Sequence, residues 1–364
     1  MSFTLKENEA DARERLRAFW AGSSLGRPAL AVTALKPDAG QALLAAPVDR
    51  SPQNDRDPAW HAMLAARKLG GTVFLAEAMP STLLEWGNVL VTVAVLAGGE
   101  YGYESNTAWI KPMSDIWERP LPRFDPHSEA CKTMERCLAE MARVVGTRGL
   151  VNPPVMLDGM TTLSGFRTPR QLCLDCIERP EQVRAWSDAL TGIYIDAYDH
   201  FRRFLRPLGY TDSTTWLQAM AEGAVEAVQC DFAVMLSPAM FEQFVMPDLR
   251  RLTGYFDYTL YHLDGTCQMR FLKQLHTLPR LNGIQWNPEP PAGSPLRWLE
   301  ALRRIREYGW VLHVGCETVE EAMTLTRELG PDGLLIVLPR FDTVDEAEMA
   351  IRRIEQAAGK WTSR

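Results

Sequence analysis

The last hundred residues alternate between two hydrophobic periods, and this alternation constrains the fold more than any other feature of the chain. "DYTLYHL" (257–263) reads as a strand, and "QMRFLKQLHTL" (268–278) repeats its apolar residues at helical spacing. "NGIQW" (282–286) reads as a short buried strand, followed by the amphipathic helix "PLRWLEALRRIREYG" (295–309). "WVLHVG" (310–315), "TVEEAMTLTRELG" (318–330), "GLLIVL" (333–338) and "TVDEAEMAIRRIEQAAG" (343–359) continue as strand, helix, strand and helix. Each helix ends at a glycine or begins after a polar cap. Strands and helices alternating at this length imply parallel pairing through right-handed crossovers.

The rhythm continues backwards more loosely. "RPALAVTAL" (27–35), "GTVFLAEA" (71–78), "LVNPPVML" (150–157) and, more weakly, "GYTDSTTWL" (209–217) are strand candidates. Helical patterns cover 57–68, 129–145, 168–177 and 181–205. Eight strands predict an α/β protein of the TIM (β/α)8 barrel type, with the residues just past each strand converging on the C-terminal mouth. The competing open, doubly wound sheet would normally show a Gly-rich turn after its first strand. "RPALAVTALKPDAG" has none. The segment 79–125 is too long for a simple connection and is expected as an insertion over the mouth. Residues 1–26 form an N-terminal helical segment, and 1–364 is expected to be a single domain.

Composition excludes several function classes. The 364 residues can bury a substantial core. A net charge of −7 argues against a nucleic-acid backbone as partner. No run approaches the roughly 20 apolar residues of a membrane-spanning helix. The start, "MSFTLKENEADARERL", lacks the apolar stretch of a signal peptide. Seven dispersed cysteines do not suggest a disulfide framework. The expectation is a reduced cytoplasmic protein that acts on a small molecule.

In a barrel the chemistry gathers at the C-terminal strand ends. Those ends deliver Glu77, Asp158, Trp216, Tyr261, His262, Asp264, Gln285, Trp286, His313 and Cys316. "VQCDF" (228–232) adds Gln229, Cys230 and Asp231. His262 and Asp264 stand at i and i+2, so a strand turns both to one face. The bland alternatives are a hydrogen-bonded structural histidine, cysteines acting as small buried hydrophobes, tryptophans that only pack, and a helix-capping glutamate at 77. Cys173 and Cys176 have a CxxC spacing, but they sit on a helical pattern without a second pair and read as structural.

The stretches "LCLDCIERPEQV", "VQCDFAVMLSPAMFEQFVMPDLRRL" and above all "YHLDGTCQMRFLKQLHTLPRLNGIQW" resemble the uroporphyrinogen decarboxylase-like superfamily. That superfamily includes the corrinoid-linked coenzyme M methyltransferases, and its fold is a TIM barrel. The resemblance is to a branch in which the usual His-x-Cys becomes His-x-Asp. In those methyltransferases a zinc ion, held by that His, that Cys and a later Cys on the last strand, turns a thiol into a thiolate. Here the His matches His262, the first Cys position is Asp264, and "GLLIVLP" has no Cys. The set left for a metal is His262 and Asp264, with Cys230 or Cys316 as recruits. A mixed N/O set suits zinc or a harder cation.

The resemblance implies methyl transfer between a small methylated compound, or a corrinoid carried by a partner protein, and an acceptor, and it admits a homodimer. His262, Asp264, Asp231 and Asp158 are the catalytic candidates. Glu77, Trp216, Gln229, Tyr261, Gln285, Trp286, His313 and Arg167 are the substrate-binding ones. The family's decarboxylases use no metal and steer acetate side chains with arginines near the N-terminus, for which "LGRPALAVTAL" supplies only Arg27. Two further readings remain open: a lyase or decarboxylase of a small acid, which requires a pocket cation such as Arg167, and a non-catalytic accessory barrel.

Overall fold

The computed structural model describes residues 2–38, 40–288 and 293–359. Its strands in chain order are β1 (Ala29–Leu35), β2 (Thr72–Ala76), β3 (Ser81–Leu83), β4 (Tyr101–Glu104), β5 (Thr107–Ile110), β6 (Leu150–Asn152) and β7 (Asp212–Ser213). β8 (Ala221–Glu222), β9 (Val225–Val228), β10 (Tyr258–Asp264), β11 (Gly283–Asn287), β12 (Val311–Gly315) and β13 (Leu334–Val337) follow. Seven of them form the main sheet in the order β2-β1-β13-β12-β11-β10-β9. Every neighbouring pair from β1 to β9 is parallel. Their short, apolar, β-branched sequences suit strands covered on both faces.

The returning helices start where the sequence says they should. Thr318 and Thr343 each cap a helix and exchange hydrogen bonds with Glu321 and Glu346, so both form a complete capping box. One continuous apolar core runs from Phe3 to Ile354. No helix among the described residues is long and apolar enough to cross a membrane.

Two expected strands differ from the reading above. The 71–78 segment does form β2, but β2 runs antiparallel to β1 at the sheet edge. Alternation and apolarity set a strand's faces, not its direction, so sequence could not have foretold this. The 209–217 segment contributes only the two residues of β7, paired with β8 in a small hairpin. Its place beside β10 is taken by β9, inside "GAVEAVQCD".

The 79–125 segment is partly wall and partly cover. Its β3 pairs in parallel with β6, whereas β4 and β5 form a separate antiparallel hairpin. Side-chain hydrogen bonds link some of these strands where no ladder joins them. Asn152 donates from Nδ2 to Thr82 O (2.9 Å) and accepts at Oδ1 from Thr214 N (2.9 Å). Ser213 Oγ accepts from Val225 N (2.8 Å), which ties the β7 segment to β9.

Candidate active site

Strand register builds the centre of the site. His262 on β10 lies opposite Gln285 on β11, Gln285 opposite His313 on β12, and His313 opposite Leu335 on β13. Paired residues in parallel strands face the same way, so these side chains form one cross-sheet row. The β9–β10 register pairs Val228 with Tyr261, and one further step sets the buried Gln229 beside His262. The next step along the same face is Asp264 opposite Asn287, whose Nδ2 donates to Asp264 Oδ1 (2.6 Å).

Gln285 fixes the tautomer of His262. The Gln285 amide nitrogen donates to Trp286 O (3.2 Å), which turns its Oε1 toward His262 Nδ1. Nδ1 therefore carries the proton, and Nε2 presents a lone pair 3.8 Å from Asp264 Oδ1. Burial lowers the His262 pKa against the raising effects of Gln285 and Asp264, so the ring is held toward its neutral form. The edge of Trp216 closes over the ring at a centroid distance of 4.8 Å.

Asp231 reaches the same place from the turn after β9. Thr161 Oγ1 accepts from Asp231 N (2.9 Å) and Phe232 N (3.4 Å). Thr161 is itself fixed by Asp158, the N-cap of the helix Gly159–Arg167, which accepts from Thr161 N (2.9 Å). At Gly159 a Cβ would lie 2.3 Å from Ser187 O, so only glycine lets this helix start sit so close to its neighbour. Burial, then the charges of Asp158 and Asp264, push the Asp231 carboxyl up to about 7. Burial pushes Asp158 up to about 6, against the hydrogen bonds of Thr161. Among the described residues, Asp231 Oδ1 and Asp158 Oδ2 have no hydrogen-bond partner and are buried. Asp231, His262 and Asp264 each offer a ligand atom within 4.8 Å of the other two.

Gln268, which sequence reasoning did not single out, links the two loops that carry these acids. It is fully buried, accepts from Tyr261 OH (2.7 Å), and donates to Asp264 O (2.9 Å) and Cys230 O (3.3 Å). Asn287 was missed as well. Each is an ordinary amide in sequence, and only the tertiary contact gives it meaning.

Several expected site residues lie elsewhere or play another part. Glu77 follows the antiparallel β2 and so ends at the opposite rim, where it pairs with Arg27 (Nη2–Oε1 2.9 Å) and accepts from Leu30 N (2.7 Å). Tyr261 and Trp286 alternate with His262 and Gln285 and therefore stand on the other face of the sheet, Trp286 against Trp298 at 5.9 Å. Arg167 is committed to Asp175 (2.6 Å) and stacks on Trp117. Asp158 acts on the site through Thr161 and by its charge. His313 donates from Nε2 to Leu217 O (2.8 Å), steadying the loop that carries Trp216, and burial lowers its pKa to about 4. Burial pushes the Cys230 and Cys316 thiols well up, and neither joins the ligand cluster.

A second cluster, Cys131, Glu135 and His200, lies on the helices Glu129–Val145 and Pro180–Leu205. There His200 is bonded to Glu135 at 2.8 Å, and burial pushes the Cys131 thiol up to about 12.

A cleft of about 460 Å³ opens beside Asp231. The β4–β5 hairpin, the helix Gly159–Arg167 and the turn Asp231–Met235 form its walls.

No protein-family model matches the sequence, and no curated protein matches it significantly. Among solved structures, the chain is similar in fold to a methyltransferase from Methanosarcina mazei. The TM-score is 0.59, with 14% identity over 95% of this chain and 98% of that one.

Proposed function

We propose that this chain is a methyltransferase of the corrinoid-linked, uroporphyrinogen decarboxylase-like kind, built as one domain on a closed (β/α)8 barrel. The fold likeness to a methyltransferase, which extends over nearly the whole of both chains, supports the architecture. The observation that carries the chemistry is the Asp231–His262–Asp264 trio with the Nδ1 of His262 pinned by Gln285. A histidine that donates its far ring nitrogen to a fixed acceptor is oriented as metal-ligating histidines are.

The donor set fits a divalent cation: one neutral imidazole and two carboxylates. Without thiolates, it suits zinc or a harder ion in place of the sulfur-rich site the resemblance implies. Asp231, His262 and Asp264 would hold the ion, whose charge would lower the pKa of a bound thiol, hydroxyl or water. The protein's own residues do the rest. Gln285 and Asn287 orient the two β-strand donors, and Thr161 sets the position of Asp231. Trp216 screens the His262 ring from water on one side.

The lyase reading weakens here, because its cation Arg167 is tied to Asp175. The accessory-protein reading leaves unexplained why buried, repelling carboxylates are retained, since such groups cost stability and mark functional sites. The decisive experiment compares wild type with His262→Ala after chelator treatment. Wild type should take up one equivalent of zinc or manganese and transfer a methyl group from methylcobalamin to a thiol acceptor. His262→Ala should lose both while keeping its circular dichroism spectrum. Unchanged turnover in His262→Ala would refute the assignment.

A further inference from the structure

The cleft beside Asp231 has a composition that selects a ligand. Its hairpin wall is Ala108, Trp109 and Ile110, and the opposing turn supplies Phe232, Val234 and Met235. Among the described residues, Asp231 is the only ionisable side chain in its lining. Trp109, Met235 and Val234 remain 58%, 53% and 40% exposed, although apolar side chains of this size are usually covered. The shape is built in. A Cβ at Gly165 would lie 2.6 Å from Ile110 Cδ1, so glycine there lets the hairpin close down on the helix.

We propose that this cleft is the substrate subsite, taking an uncharged or cationic molecule with an aromatic or alkyl body whose amine or other donor end lies against Asp231. The proposal rests on the preceding reading only in taking the Asp231 end as the reacting end. Three observations support it independently. First, Asp231 Oδ1 is buried without a hydrogen-bond partner among the described residues, and a ligand donor would satisfy it. Second, no basic side chain among the described residues lines the cleft, and Arg167 nearby is held by Asp175, so a carboxylate, sulfonate or phosphate on the ligand would meet no countercharge there. Third, the walls can cover a ring or a short chain, and burying that much apolar surface favours binding by on the order of tenfold or more. The exposed indole of Trp109 adds a face on which the ligand's ring can pack.

Calorimetric titration of the full chain with three probes tests this: N,N-dimethylbenzylamine, trimethylamine and benzoate. The aromatic amine should bind at least about tenfold more tightly than trimethylamine, and benzoate should not bind. Trp109→Ala should weaken the aromatic amine several-fold and leave trimethylamine and zinc uptake unchanged. A second variant, Met235→Ala, should act in the same direction, which guards against a local fault of the hairpin. Equal affinity for the two amines, or binding of benzoate, would overturn the proposal. So would saturable capture of a partner polypeptide that Trp109→Ala abolishes while no amine binds, since the cleft would then be a docking face. These are binding measurements, so a failed methyl-transfer assay would sink the functional reading and leave this one standing.

Discussion

At the scale of single residues, the site depends on which nitrogen of His262 carries a proton. Gln285 decides that, and its own amide is oriented by Trp286 O. Gln285→Leu should therefore free the ring to rotate and weaken divalent-cation uptake by about 10–100-fold. Gln285→Glu keeps an acceptor opposite Nδ1 and should retain most of the affinity. Competition against a chromogenic chelator measures both, and equal loss in the two variants would mean that Gln285 only fills space. The sequence revealed part of this arrangement. His262 and Asp264 could be paired from their i, i+2 spacing because strand alternation is a local rule. Asn287 could not, because its partner Asp264 lies on another strand, and Gln268 could not, because its tie to Cys230 O crosses to another turn. Cys230 misled for the same reason: a thiol beside an acid in sequence suggests a ligand, while its burial is a property of the whole fold.

At the scale of secondary-structure elements, the instructive case is β9. The acid in "VEAV" breaks an apolar run and argues against a buried strand. In the structure Glu226 faces the helix side of the sheet, fully buried near Tyr194, and accepts from Ala227 N (2.9 Å). Desolvation pushes its carboxyl up to about 8, against the lowering effect of that N–H. The sign of the consequence follows from linkage. A folded pKa above the unfolded value means that the native state holds the extra proton between the two. Stability should accordingly fall as pH rises from about 4.5 to about 8, at a limiting slope of about 1.4 kcal/mol per unit for this one group. Asp248, pushed up to about 7, adds to the same trend over the lower part of that window. Glu226→Gln imitates the protonated acid and should be the more stable protein at pH 8, with a flatter profile. Urea unfolding at pH 5, 6.5 and 8 would show this, and parallel profiles for the two proteins would mean that Glu226 is ionised in the fold. By contrast, the helices at 319–329 and 344–358 were legible because a capping box lies within four residues of sequence.

At the scale of the whole molecule, the two rims of the sheet do different work, and the direction of β2 assigns Glu77 to one of them. Running antiparallel, β2 carries Glu77 away from His262 to a closed ionic cluster. There Arg27 spans Glu77 and Glu355, with Leu30 N as a further donor to Glu77 and Arg15 at 3.8 Å. Removing one partner of a buried pair strands the other charge, at a cost of about 3–5 kcal/mol. Glu77→Gln keeps the shape and one acceptor oxygen, so the lower figure applies, softened by Glu355, which still pairs with Arg27 from a partly exposed position. Unfolding by denaturant should show a loss of about 3 kcal/mol. The apolar double variant Arg27→Met/Glu77→Leu should recover most of it, because neither charge is then left buried. Cation uptake at the Asp231–His262–Asp264 trio should stay within about twofold of wild type in both variants, since sites far apart with no shared partner behave additively. A large change in uptake would show that the lower rim sets the register of β1 and, through β13 and β12, the position of the His262 row.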